Sequence, residues 1–170
     1  AARLECELTD HAHRVALTEV AHWPDALAGL RVALNITAAD LGDRGFADRF
    51  ARTVTMAGVD PARLTLELTE QAMLGDPASA ADQLAQLRLL GCAIAIDDFG
   101  TGYSSLSLLA RLPIDYLKID RSFVRDIVTD PSDRAIAEAV ILMAHKLGMK
   151  VVAEGIETVA QRDLLAAAAC

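Results

Sequence analysis

Five short apolar runs, each followed by a longer amphipathic stretch, limit the possible folds of this chain more than any other feature. This alternation is typical of βα units that form a parallel sheet with helices packed against it. The predicted strands are Arg31–Thr37, Leu64–Glu70, Cys92–Asp98, Tyr116–Asp120 and Lys150–Ile156. Helices are predicted at 44–57, 77–90, 104–111, 132–147 and 158–168, and a further helix ends near Trp23 and Pro24.

The composition indicates a single domain. With 170 residues, of which 53% are hydrophobic, the chain can bury a sizeable core, and it contains no repeat or low-complexity segment. The apolar stretches are well short of the roughly 18 residues that suggest a membrane span. The N-terminus has no basic region followed by an apolar one. We therefore expect a cytoplasmic protein.

The charge and the cysteines exclude other classes of function. A formal net charge of -8 argues against binding to long nucleic acid, which requires clustered Lys and Arg to displace phosphate counterions. An anionic substrate is still compatible with this charge if bound metal ions reverse the local sign. Cys6, Cys92 and Cys170 are odd in number and form no C-x-x-C pair, which indicates free thiols rather than a disulfide framework or a zinc site.

Polar side chains occur in the second half of each predicted strand, where the rest of the run is apolar. In parallel α/β folds, ligand-binding and catalytic groups collect at the carboxyl ends of the strands, in open sheets and closed barrels alike. The sequence therefore predicts one polar cluster at this end of the sheet. Its predicted members are Asn35, Glu67, Asp97, Asp98, Lys118, Asp120 and Glu154.

The alternation within the strands predicts two unlike faces of the sheet. Leu64, Leu66 and Leu68 fall on one face, whereas Glu67 and its threonine neighbours fall on the other. The first face is bulky and suited to covering helices. The second is small or polar, as expected for the lumen of a barrel that opens onto a site.

The segment 94–106 runs from a short apolar strand directly into two carboxylates and a glycine-bearing loop. Asp97 and Asp98 are adjacent anions, and at the end of a buried strand they are costly unless a cation such as a divalent metal holds them. Strand parity points the two side chains to opposite faces. Both reach one metal centre only if the chain turns there, which Gly100 and Gly102 permit.

Five motifs in order resemble the EAL-domain family of cyclic di-GMP phosphodiesterases. The resemblance runs from about Trp23 to the end of the chain, and no single motif is specific by itself. The motifs are Leu-Asn-Ile-Thr (34–37), Glu-Leu-Thr-Glu (67–70), Asp-Asp-Phe-Gly-Thr-Gly-Tyr-Ser-Ser-Leu (97–106), Leu-Lys-Ile-Asp (117–120) and Ala-Glu-Gly-Ile-Glu-Thr (153–158).

The resemblance implies a TIM-type (β/α) barrel that binds two Mg²⁺ or Mn²⁺ ions and hydrolyses cyclic di-GMP to linear pGpG. Paired metals supply both an activated water and neutralisation of the phosphoryl charge, and Ca²⁺ is expected to inhibit. The family also implies a homodimer and a fused or associated sensory or cyclase domain. The expected setting is bacterial second-messenger signalling.

The resemblance also implies a set of metal ligands. Asn35, Glu67 and Asp97 would hold one ion, and Asp97 would bridge to a second ion shared with Asp98. Hard oxygen ligands of this kind are the ones that Mg²⁺ prefers. Glu154 would act near the attacking water as a metal ligand, as a general base, or as both.

The remaining positions have supporting roles by resemblance. Lys118 is expected to stay protonated among the carboxylates and to orient the water or a phosphate oxygen; the alternative is a structural ion pair. Glu157 would position Lys118 or Glu154. Glu70 would anchor the loop that starts at Phe99; the alternative is a solvated carboxylate. The other predicted second-shell and loop residues are Asp120, Gly100, Thr101, Gly102 and Ser104. The four histidines, His11, His13, His22 and His145, are expected to be exposed or partly buried.

The chain also departs from the family pattern. The Glu-Ala-Leu signature upstream of Asn35, which supplies another metal ligand, is absent, and so is the glutamine motif expected beyond Cys170. About five of the eight strands of a barrel are present. We therefore expect residues 1–170 to be one partial domain of a longer signalling protein, with little or no activity alone.

Two other readings remain open. One is a non-catalytic EAL-like receptor for cyclic di-GMP or a protein-docking module, although a receptor has no need of the full ligand set found here. The other is a different metal-dependent barrel enzyme, such as an enolase-like one, which the loop at 99–106 disfavours.

Overall fold

Five parallel strands form one sheet, and their order across the sheet is their order along the chain. The computed structural model describes residues 2–73, 75–100 and 106–170, without the side chains of residues 2 and 3. The fold is α/β, as the sequence predicts. The strands are β1 (Val32–Asn35), β2 (Leu64–Thr69), β3 (Ala93–Phe99), β4 (Tyr116–Ile119) and β5 (Lys150–Ala153).

Helices occupy the connections between the strands. Proline at the first turn and a capping aspartate before it define the starts of two of the longer helices, at Asp76-Pro77 and Asp130-Pro131. The α-helices of the described residues are α1 (Ala2–Ala21), α2 (Ala38–Gly42), α3 (Phe46–Ala57), α4 (Pro77–Leu90), α5 (Leu106–Leu109), α6 (Arg121–Arg125), α7 (Pro131–Lys146) and α8 (Val159–Ala167). Short 3₁₀ turns lie at Asp25–Leu27, Pro61–Arg63 and Glu70–Met73.

The predicted strands are confirmed, but several of their ends differ. β2 ends at Thr69, because Glu70 already belongs to a 3₁₀ turn. β3 extends to Phe99, whose position pairs with Ile119 of β4, so Phe99 belongs to a strand and not to the loop predicted for it. The short helices α2 and α6 are not predicted, since five residues are too few for a hydrophobic period to show.

The two faces of the sheet differ as the alternation predicts. Leu64, Leu66 and Leu68 are buried and belong to the apolar core, whereas Thr65 and Glu67 between them remain partly accessible. Full burial of a leucine side chain contributes roughly 1.5–3 kcal/mol to folding. The apolar face is therefore the one that holds the helices on the sheet.

The sheet does not close into a barrel. Within the described residues β1 pairs with β2 alone and β5 with β4 alone, so these two strands are the edges. The polar face lies open between them. Because all five strands run the same way, their carboxyl ends share one rim. Among the described helices, none has both the length and the apolar character that a bilayer span requires.

A buried glutamine joins helix α4 to the start of helix α3. The Gln83 Oε1 accepts the backbone N–H of Ala47 at 2.9 Å, and its Nε2 donates to the carbonyl of Arg44 at 3.0 Å. The N–H of Ala47 lies in the first turn of α3, where it has no partner within the helix. Gln83 thus satisfies a buried donor and a nearby acceptor at once.

We expect Gln83→Ala to lower the free energy of unfolding by about 1–3 kcal/mol, because it leaves these backbone groups without partners. Gln86→Ala is the matched control, since Gln86 is exposed on the same helix. It should change the stability by less than about 0.5 kcal/mol. Urea denaturation followed by circular dichroism measures both. Equal losses for the two variants would contradict the role assigned to Gln83.

Candidate metal and catalytic site

Lys118 lies at the centre of a carboxylate cluster on the polar face of the sheet. Its Nζ contacts Glu67 Oε2 at 3.0 Å, Asp97 Oδ1 at 2.9 Å and Glu154 Oε1 at 2.7 Å. The lysine side chain is 12% exposed and that of Glu67 is 14% exposed. The three carboxylates come from β2, from β3 and from the residue after β5, so the cluster joins distant parts of the chain.

The carboxylates determine the charge state of Lys118. Burial by itself would lower the pKa of this ammonium, but the hydrogen bonds to Glu154, Asp97 and Glu67 outweigh it and hold the pKa of Lys118 well above its usual value. The side chain is therefore a cation throughout the physiological range. This agrees with the protonated state expected from the sequence, and the contacts with three acids are its physical cause.

A bulge in β3 brings the carboxylates of Asp97 and Asp98 close together. Ile96 pairs with Leu117 and Phe99 pairs with Ile119, so the two aspartates together lie opposite a single residue of β4. Asp98 has a φ of 53°, in the left-handed region. The chain therefore already changes direction at Asp98, ahead of Gly100. Such a conformation costs an L-residue about 1–2 kcal/mol, although aspartate tolerates it better than most.

Asp97, Asp98 and Glu154 form a group that fits a divalent metal ion. One oxygen of each carboxylate lies within 4.8 Å of the others. Burial, then the charges of Asp97 and Asp120, raises the pKa of Asp98. This crowding of anions is the electrostatic condition that a bound cation relieves, and carboxylate oxygens are donors that Mg²⁺ and Mn²⁺ accept.

Asn35 lies at the carboxyl end of the edge strand β1. Its position pairs with that of Glu67 in β2, and its side chain is exposed. The backbone carbonyl of Asn35 accepts a hydrogen bond from His13 Nε2 at 2.9 Å. Helix α1 thereby fixes the strand end that presents Asn35.

The expectation that all four histidines are exposed or partly buried is wrong for His13, which is 3% exposed. Its ring packs edge-on against Phe50, and burial lowers its pKa. The signal was present in the sequence, because His13 shares a helical spacing with the apolar residues Ala16, Leu17 and Val20. A histidine within such a stripe faces the core.

Glu70 is buried, so the alternative of a solvated carboxylate is wrong. Its Oε1 accepts the backbone N–H of Gly100 at 2.8 Å. Gly100 has a φ of 100°, and a Cβ there would lie 2.8 Å from the ring of Phe123. Glycine is therefore needed at this position. Thr101, Gly102 and Ser104 of the predicted loop lie outside the described residues.

Phe99 and Asp120 lie close in sequence to residues of the carboxylate cluster. Phe99 follows Asp98 and is buried in the apolar core. The Asp120 Oδ1 accepts the backbone N–H of Ser122 at 2.9 Å and caps helix α6. Hydrogen bonds from Ser122 outweigh burial and lower the pKa of Asp120, and the nearby Asp98 carboxyl group acts in the same direction.

The structure does not bring Glu157 into contact with Lys118 or Glu154. Its side chain is exposed, and its backbone N–H donates to Gln161 Oε1 at 2.8 Å. A positioning role for Glu157 therefore remains a prediction. The chain between Glu154 and Glu157 runs close to helix α6, since a Cβ on Gly155 would lie 2.8 Å from the Cβ of Arg121.

Known proteins resemble the whole chain. The family model described as EAL domain matches residues 1–170. The protein named cyclic di-GMP phosphodiesterase PA2567, from Pseudomonas aeruginosa, is 40% identical over 163 residues. That match covers 96% of this chain and 28% of the relative, so the chain spans less than a third of that protein's length.

Solved structures resemble the fold closely. The phosphodiesterase PaMucR in complex with c-di-GMP has a TM-score of 0.89 and 36% identity, and the match covers 98% of this chain and 68% of that one. BlrP1 from Klebsiella pneumoniae, in a calcium and cy-diGMP complex, has a TM-score of 0.87 and 30% identity over 99% of this chain and 42% of its own. BlrP1 is also known in a complex with manganese.

The left-handed backbone at Asp98 predicts that glycine stabilises the protein more than alanine does at this position. In metal-free protein, Asp98→Gly should be more stable than Asp98→Ala by about 1 kcal/mol, because glycine adopts this φ without strain and neither variant retains the carboxylate. Thermal unfolding monitored by circular dichroism measures the difference.

Position 33 provides the control for this order. Ala33 is exposed in β1 and does not have a positive φ, so Ala33→Gly should lower stability by roughly 0.5–1 kcal/mol. If alanine also proved better than glycine at position 98, the assigned backbone conformation would be wrong.

Proposed function

This chain belongs to the EAL domain family, and on that premise we propose that it carries the metal-dependent hydrolysis of cyclic di-GMP to linear pGpG in bacterial signalling. The proposed catalytic residues are Glu154 and Lys118. The proposed metal ligands are Asn35, Glu67, Asp97, Asp98 and Glu154.

One observation supports this proposal above the others. Lys118 Nζ lies within 3.0 Å of three carboxylates from distant parts of the chain, and two of these carboxylates form a candidate ligand group with Asp98. A protein that only packed its sheet would gain nothing from this arrangement, because buried acids are costly without cations. The arrangement suits a site that handles a charged phosphodiester.

The number of charges favours two divalent ions. Three carboxylates contact the ammonium of Lys118, and two more, those of Asp98 and Asp120, lie close to them. With all five ionised, the formal excess is four negative charges. Two Mg²⁺ or Mn²⁺ ions would neutralise it. Bound divalent ions supply a water that deprotonates near neutral pH and neutralise charge on the phosphoryl oxygens. Ca²⁺ is proposed to bind without supporting turnover.

The side chains of the site have distinct proposed tasks. Glu154 is 39% exposed, the most accessible of the three acids around Lys118, so it can reach an attacking water and accept its proton. Lys118 donates to a phosphate oxygen and stabilises its charge. Glu70 holds the start of the following loop through Gly100, and Glu157 is proposed to position the pair.

We also propose partners for this chain from its membership of the EAL domain family. A related protein from Pseudomonas aeruginosa is named a bifunctional diguanylate cyclase and cyclic di-GMP phosphodiesterase, which supports a fused or associated cyclase or sensory domain here. A homodimer and a cytoplasmic location are further proposals. No Glu-Ala-Leu tripeptide occurs in the chain, so we expect little or no activity from these 170 residues alone.

Calorimetry and product analysis test this function. Cyclic di-GMP should bind in Ca²⁺, and chromatography should detect slow pGpG formation in Mg²⁺ that a chelator abolishes. Asp97→Asn and Glu154→Gln should reduce the product at least about 100-fold, as expected for loss of a ligand or base.

The control is Asp82→Asn, because Asp82 is exposed on helix α4 and lies outside the carboxylate cluster. It should leave turnover unchanged. Binding without any product would leave only the receptor function for these 170 residues by themselves. Neither binding nor product would contradict both.

A further inference from the structure

The ammonium group of Lys118 has no donor to spare. It carries three N–H groups, and three carboxylate oxygens lie at 2.7–3.0 Å from Nζ. A phosphate oxygen or a water can receive a hydrogen bond from Lys118 only where one of these contacts is given up. The proposed catalytic role therefore requires a change of partners.

We propose that Lys118 is the internal counter-cation of the metal-free site, and that divalent metal ions displace its ammonium from Asp97 and Glu154. These two carboxylates belong both to the Lys118 cluster and, with Asp98, to the group whose ligand atoms lie within 4.8 Å of one another. The ammonium and a metal ion therefore compete for the same two carboxylates. This inference rests on the proposed function, since it requires metal ions to bind there.

Lys118 has a different role in the metal-free and in the metal-bound state of the protein. Without metal, Lys118 offsets the mutual repulsion of three acids and keeps them assembled, which lowers the reorganisation needed when a metal ion arrives. With metal, the released N–H groups become donors for substrate. Metal binding therefore precedes the contact between Lys118 and a phosphate oxygen.

The contact with Glu67 differs from the other two. Glu67 is outside the group formed by Asp97, Asp98 and Glu154, and its side chain is the least exposed of the three acids that Lys118 contacts. Its Oε2 can retain the lysine while its other oxygen serves as a metal ligand and the contacts with Asp97 and Glu154 exchange. Lys118 thus changes partners without leaving the site.

Metal titration of variants gives the first test. Mn²⁺ should bind Lys118→Met at least tenfold more tightly than wild type in calorimetry, because no ammonium has to be displaced. The metal-induced rise in Tm should also be larger. Lys146→Met is the matched control, since Lys146 is exposed and has no ion pair among the described residues, and it should match wild type. Equal or weaker Mn²⁺ binding by Lys118→Met overturns the proposal.

Release of Lys118 is measured directly in wild-type protein, because removing a nearby positive charge strengthens metal binding by itself. The chain has three lysines, Lys118, Lys146 and Lys150, so ¹⁵N-lysine labelling gives few ammonium signals. Lys118 should show slow proton exchange without metal, and saturating Mg²⁺ should increase its exchange rate at least tenfold.

Four results would overturn the inference. Fast exchange of Lys118 in metal-free protein would mean that the ammonium is not held by its three partners. Unchanged protection with Mg²⁺ bound would mean that it is not displaced, even if Lys118→Met binds Mn²⁺ more tightly. Failure of every variant to bind Mg²⁺ or Mn²⁺ would overturn the proposed function and this inference together, whereas equal binding by wild type and Lys118→Met overturns the inference alone.

Discussion

The site depends on one buried ammonium that holds three carboxylates at the carboxyl ends of a parallel sheet. The carboxylates of Glu67, Asp97 and Glu154 would repel one another when gathered around one point. The ammonium of Lys118 offsets this repulsion through a short contact with each of them. The electrostatic balance is still incomplete, because Asp98 and Asp120 add further negative charge. An acidic excess focused on one rim in this way favours the binding of divalent cations.

The backbone supports this electrostatic arrangement by local departures from regular structure. The bulge at Asp97 and Asp98 places two adjacent carboxylates on one side, which a regular strand cannot do. Asp98 adopts a left-handed φ, and Glu70 buries its side chain to hold the N–H of Gly100. Strain and burial of this kind collect at functional sites, where the surrounding structure maintains them.

Much of the fold could be predicted from the sequence, because its signals are local. The alternation of Leu64, Leu66 and Leu68 with polar neighbours predicts both the strand and its buried face, and both are confirmed. The ends of the strands were predicted less accurately. Phe99 extends β3 because it pairs with Ile119, a contact between residues twenty apart that no local pattern encodes. The burial of His13 was missed although its helical spacing indicated it.

The sequence by itself determined the type of each element and placed its acidic residues late in the strands, because both follow from the order of polar and apolar side chains. Only the tertiary structure decided which of these residues meet. Lys118 and Glu67 are 51 positions apart, and their contact depends on the order of strands in the sheet. The tertiary structure also decided the left-handed backbone of Asp98 and the burial of Glu70. Neighbouring elements impose both, since long-range packing and charge outweigh local preference at these positions.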